Sequence, residues 1–122
     1  MAVDFFSDYT MTIDGKPATS AATIEAYNPA TEAVIATVPD ASREQLDQAV
    51  AAAKRAFPAW SALPVAERQA YLARVGEVLQ ANAEDLSRLL TLEQGKAKPG
   101  ADWEVGGSIA WCGGMAAMSL DT

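Results

Sequence analysis

The chain has 122 residues, half of them apolar, with 9 lysines and arginines against 16 acids for a net charge of −7, and no histidine. That length suits one domain at most, and the acidic balance disfavours polyanions, which excludes nucleic acid as a partner. One cysteine, Cys112, without any histidine excludes an internal disulfide, a zinc centre of the usual ligand set and any Ser-His or Cys-His nucleophile.

The N-terminus has no basic leader before an apolar run, and no uncharged apolar stretch reaches the roughly 18 residues that a membrane span requires. A cytoplasmic protein with no membrane partner is expected. Residues 11–18 read Met-Thr-Ile-Asp-Gly-Lys-Pro-Ala, and Asp14-Gly15 is a dipeptide that accepts positive φ at both centres of a tight hairpin turn. Thr23–Tyr27 and Ala33–Val38 are rich in β-branched residues and flank Asn28-Pro29, so two further short strands pair across that turn and Pro39-Asp40 closes the β part.

Ser42 and Gln45 form a capping box at the start of the first long helix. Leu46, Ala49, Val50, Ala53 and Phe57 fall at spacings of three and four, with Lys54 and Arg55 towards the carbonyl end, and Pro58 is expected to stop this helix. Pro64 opens a second, with Val65, Leu72, Val75 and Leu79 on one stripe. Asn82 is expected to cap a third, in which Glu84 precedes Arg88 by four residues and Leu86, Leu89, Leu90 and Leu92 form the buried side, and Gly95 ends it.

Beyond Pro99, Gly106, Gly107, Gly113 and Gly114 recur at seven-residue intervals among Trp103, Ile109, Trp111, Met115 and Met118, giving a fourth helix with a small face beside a bulky one. Each interior glycine costs about 1 kcal/mol relative to alanine, so this helix needs something packed against it. Its small face reads either as ordinary tight packing or as the approach for another helix or a substrate tunnel. No phosphate-binding glycine pattern is present. The acid pairs Glu84-Asp85 and Asp102 with Glu104 read as helix surface, and Cys112 as a small buried hydrophobe. The fold class is α+β: short strands over 10–40, then a helical region over 42–118, in a single partial domain, 1–122.

Four stretches carry a resemblance that covers roughly residues 10–118. They are Asn28-Pro-Ala-Thr31 within Glu25–Pro39, the region of Trp60, Pro64-Val-Ala-Glu-Arg68, and Leu92-Glu-Gln-Gly-Lys96. In this order and with these gaps the sequence resembles the N-terminal part of the NAD(P)-dependent aldehyde dehydrogenase superfamily. It departs from that pattern at Ala97-Lys-Pro99, where the family usually has proline directly after the lysine.

The resemblance implies an N-terminal structural segment of an aldehyde dehydrogenase-like α/β fold. It implies a parent that oxidises an aldehyde to a carboxylic acid by thiolate attack, hydride transfer to NAD or NADP, and hydrolysis of the thioester. The family's nucleophile motif, Rossmann strands, nucleotide-contacting lysine and carboxylate base do not occur in this sequence. No catalytic or cofactor-binding residue is therefore assigned, and the isolated segment is expected to bind no nucleotide and to be inactive. Two family sites carry over. A cation site corresponds to Glu93 with backbone carbonyls near Ala26 and Tyr27, and a substrate-tunnel wall to Trp103, Gly107 and Trp111. The implied partner is the remainder of a dehydrogenase chain; the alternative is a free-standing helical module that self-associates or docks onto complete subunits.

Overall fold

A computed structural model describes residues 5–7 and 9–119. Short strands lead into four helices, as the patterning predicts, and the chain divides into two compact units, Phe6–Ala62 and Leu63–Thr122 with Met1–Phe5.

The first unit opens with a hairpin of β1 (Met11–Ile13) and β2 (Lys16–Ala18), turning on Asp14 at φ 53° and Gly15 at φ 73°. A second antiparallel pair joins β3 (Ala22–Tyr27) to β4 (Val34–Asp40). Asn28 organises the turn between them. Its Oδ1 accepts from the Ala30 amide at 2.9 Å, its carbonyl accepts from the Glu32 amide at 2.8 Å, and Glu32 takes the left-handed conformation at φ 59°. Pairing passes from Ala26↔Ala36 to Tyr27↔Val34, an irregularity that places one extra residue on β4. Pro39 and Asp40, paired with Thr23 and Ala22, are the last two residues of β4 and close the β region as expected. Each strand of a two-stranded sheet has an open edge, where proline's missing donor costs no ladder bond.

Helix α1 (Arg43–Ser61) begins with the expected capping box: Ser42 Oγ accepts from the Gln45 amide at 3.2 Å, and Gln45 Oε1 accepts from the Ser42 amide at 3.0 Å. Pro58 does not stop this helix. Proline removes one amide donor and holds a helical φ, and so close to the C-terminus the loss is confined to one bond; the Pro58 carbonyl still accepts from the Ala62 amide at 3.2 Å and from Ser61 Oγ at 3.1 Å. The predicted apolar stripe divides in two. Ala49, Ala52, Ala53 and Ala56 line a shallow groove with the β1–β2 hairpin, and Arg55 pairs with Asp14 at 3.2 Å. Leu46, Val50 and Phe57 remain 54–64% exposed.

The second unit holds α2 (Val65–Ala81), α3 (Ala83–Gln94) and α4 (Lys98–Ala116), with α4 packed on both of the others. Pro64 supplies the N-cap carbonyl of α2, accepting from the Glu67 and Arg68 amides. Asn82 stands at the N-cap of α3 as expected, through its carbonyl, which accepts from the Leu86 amide at 3.0 Å, and not through its side chain. Its Nδ2 donates to the Val78 carbonyl at 2.7 Å, so the side chain closes the end of α2, and only this residue separates the two helices. Gly95 terminates α3 at φ 69°, in the left-handed conformation expected there. The leucines predicted to form the buried side of α3 are only half-buried; the buried residue of this helix is Ser87, 1% exposed, which lies beside that face and not on it. Among the described residues the fully buried positions are Ala52, Gly76, Ser87 and Ala101. Small side chains occupy the interior of both units, and bulky ones lie outside.

Candidate functional site

Helix α4 is held on its inner side and open on its outer one. Ala101 is completely buried, and Gly76 of α2 lies so near that a Cβ built on it would sit 3.1 Å from Cys112 Cβ and 3.9 Å from the Ile109 carbonyl oxygen. Gly76 is therefore the glycine that brings two helices together. The four α4 glycines singled out by the sequence do something different: a Cβ on Gly106, Gly107, Gly113 or Gly114 meets nothing within 4 Å. Cys112 is half-buried rather than buried, because it faces a glycine and not a filled core.

Polar contacts fix both ends of α4. At the start, Lys98 Nζ donates to Asp102 Oδ1 at 2.6 Å and to Glu84 Oε2 of α3 at 3.3 Å, while the buried Ser87 Oγ donates to the same Asp102 oxygen at 2.5 Å. The bond from Lys98 and then that from Ser87 hold the Asp102 carboxyl below its ordinary range. The bond to Asp102 raises the Lys98 ammonium above its own range, outweighing the desolvation that lowers it, and the bond to Glu84 raises it further. Lys96 pairs with Glu104. At the far end, Gln69 Nε2 of α2 donates to the carbonyl oxygens of Met118 at 2.7 Å and Met115 at 3.4 Å, ending α4 with a side chain from its neighbour. A carboxylate already holding two donors, beside a lysine held protonated, is suited to fastening helices rather than to moving protons.

The expected tunnel residues Trp103, Gly107 and Trp111 fall at successive four-residue steps on the outer side of α4, with the two tryptophans 78% and 73% exposed. They share one face. The expected cation ligands stand apart in the chain's organisation: Ala26 and Tyr27 end β3 in the first unit, and Glu93 is an exposed side chain in the last turn of α3 in the second. The Tyr27 hydroxyl donates to Glu25, and this bond, with the negative charge of Glu25, raises the phenol above its ordinary value. Among the described residues no group of three or more histidine, cysteine or acidic side chains converges.

The family model for the aldehyde dehydrogenase family matches residues 16–121. The chain belongs to this family. It corresponds to an N-terminal portion of an NAD(P)-dependent aldehyde dehydrogenase superfamily protein. It is 43% identical over 82 residues to the Homo sapiens mitochondrial methylmalonate-semialdehyde/malonate-semialdehyde dehydrogenase [acylating], a match covering 67% of this chain and 15% of the relative. The fold is similar to that of lactaldehyde dehydrogenase from Escherichia coli, with a TM-score of 0.85 and 38% identity over 88% of this chain and 23% of that one. An NAD-dependent benzaldehyde dehydrogenase from Corynebacterium glutamicum gives a TM-score of 0.82 at 27% identity, over 93% and 27% of the two chains. The chain thus spans about a quarter or less of the aldehyde dehydrogenases it matches.

Three residues that organise this aldehyde dehydrogenase segment escape a motif-based reading: Gly76, Ser87 and Gln69. A lone glycine within a helical pattern is a general sign of close packing, but nothing in the sequence names the helix that Gly76 meets. Ser87 among leucines and Gln69 on a polar face give no comparable signal, since each acquires its role only from the helix opposite. Among the described residues no helix is long and apolar enough to cross a membrane.

Proposed function

We propose that this chain is a framework segment of an NAD(P)-dependent aldehyde dehydrogenase. In the whole protein an aldehyde would be oxidised to a carboxylic acid with reduction of NAD or NADP, and this segment would carry the helices against which the nucleotide-binding and catalytic parts are seated. One observation carries the reading: the interior positions are small, whereas Leu46, Val50, Phe57, Trp103 and Trp111 are 54–78% exposed. Apolar surface of that kind marks a site of interaction. Within the reading Trp103, Gly107 and Trp111 form part of a substrate-tunnel wall, and Glu93 with the backbone of Ala26 and Tyr27 supplies a weak cation site. The partner is the remainder of a dehydrogenase chain, and the compartment is the cytoplasm.

Isothermal titration of the 122-residue chain with NAD and NADP tests the central point. No binding and no aldehyde-dependent reduction of either nucleotide are expected. Micromolar affinity, or turnover by a pure preparation, overturns the reading.

A further inference from the structure

Val65, Arg68, Gln69 and Leu72 recur at intervals of three and four along α2, which sets them on one side of the helix. With Met115 in the last turn of α4 and Met118 just past its end, they line a cleft of about 220 Å³ in the second unit. Arg68 is the one charged side chain of this lining, and its Nε–H is buried with no hydrogen-bond acceptor among the described residues. The Met115 and Met118 carbonyl oxygens accept from Gln69 instead. No acid lines the cleft, and Glu84, Asp102 and Glu104 hold lysines toward the start of α4. A guanidinium stays protonated whatever surrounds it, and a buried donor without an acceptor is rare in a folded protein.

We propose that Arg68 is the docking point for a carboxylate side chain, aspartate or glutamate, carried by the remainder of the dehydrogenase chain. The pairing rests on the framework reading above and gives one seat in that framework its chemistry. Because the buried donor is Nε, the carboxylate approaches side-on, with one oxygen on Nε–H and the other on the adjacent Nη. That two-pronged arrangement is open to a guanidinium and closed to a lysine ammonium.

The surroundings of Arg68 favour a protein side chain over a free acid. The cleft is smaller than the roughly 300–1,000 Å³ of small-molecule sites. Its apolar walls include Met115 and Met118, both exposed, and their surface is covered by the residues that flank a protein carboxylate but not by a small acid bound alone.

The effect of losing Arg68 should differ between the segment and a whole enzyme. In the 122-residue chain Arg68→Met keeps an apolar stem and removes a donor that has no acceptor, so the urea midpoint should stay within about 0.2 M of its original value or rise. For the whole enzyme, residues 16–121 replace the matching N-terminal segment of the Escherichia coli lactaldehyde dehydrogenase. There Arg68→Met should lower the apparent melting temperature by about 2 °C or more, and Arg68→Lys, which keeps the charge without the Nε–H, should recover less than half of that loss. The chimera with Arg68 in place tests the framework reading by itself: if it does not fold, that reading falls and the pairing with it. A folded chimera indifferent to Arg68→Met overturns the pairing alone. So does a segment that Arg68→Met destabilises, since Arg68 would then have its partner within the segment. Sodium acetate at about 10 mM, compared with equal sodium chloride, should leave the segment's urea midpoint unchanged; a rise that Arg68→Met abolishes would assign the cleft to a small carboxylate and overturn the pairing.

Discussion

Replacing Gly76 by alanine sets two effects of opposite sign against each other. Alanine is favoured over glycine in a helix interior by about 1 kcal/mol. The added methyl, however, would lie 3.1 Å from Cys112 Cβ, an atom bonded directly to the α4 backbone. That backbone is held at one end by Lys98, Asp102 and Ser87 and at the other by Gln69, so relief requires displacing α4 from α2. Overpacking of this kind costs about 1–3 kcal/mol, leaving a net loss of up to about 2 kcal/mol for Gly76→Ala. Gly106→Ala is the reference. Its methyl meets nothing within 4 Å, so the propensity gain is unopposed and stability rises by about 0.5–1 kcal/mol. Urea unfolding followed by far-ultraviolet circular dichroism measures both, and with a slope of about 1–2 kcal/mol/M the midpoints should separate by roughly 1 M. On the Gly76→Ala background, Cys112→Gly should recover packing by removing the opposing Cβ, whereas Cys112→Ala, which keeps it, should not. Equal stabilisation by Gly76→Ala and Gly106→Ala would refute the close approach of α2 and α4.

The capping box at α1 and the ion cluster at α4 give two further expectations. Ser42→Ala removes the acceptor for the Gln45 amide and should cost about 1 kcal/mol, read as a lower urea midpoint. The Asp102 carboxyl is lowered from its ordinary 3.8 on folding, so its contribution is present above that pH and is lost as pH falls through the folded value. Lys98 is raised from 10.5, so its contribution is intact below that pH and disappears as pH rises through the folded value. Asp102→Asn should flatten the acid limb of a plot of urea midpoint against pH and weaken the dependence above 10.5. An unchanged profile would exclude a contribution from this pair.

Local features were readable because their causes are local. Asp14-Gly15, the Ser42–Gln45 box and Gly95 each carry within a few residues the geometry they adopt, and all three stand where the sequence places them. Pro58 was misread as the end of α1 because a proline near a helix end loses only one bond, and the Asn82 side chain serves α2 while its carbonyl caps α3, since an amide between two helices can reach either. The tryptophans and glycines of α4 were legible as a bulky face and a small one. Which glycine meets another helix was not, because periodicity shows that a face exists and leaves its neighbour unspecified; the contact belongs to Gly76, one helix earlier.

Gln45 links two pieces of the first unit. Its Oε1 accepts from the Ser42 amide while its Nε2 reaches back to the Thr19 carbonyl at 2.7 Å, just past the end of β2. One side-chain amide thereby ties the outgoing end of the hairpin to the opening turn of α1. Neither end can fray without loosening the other, so a strand pair of three residues a side, too short to persist alone in water, borrows its permanence from a nineteen-residue helix.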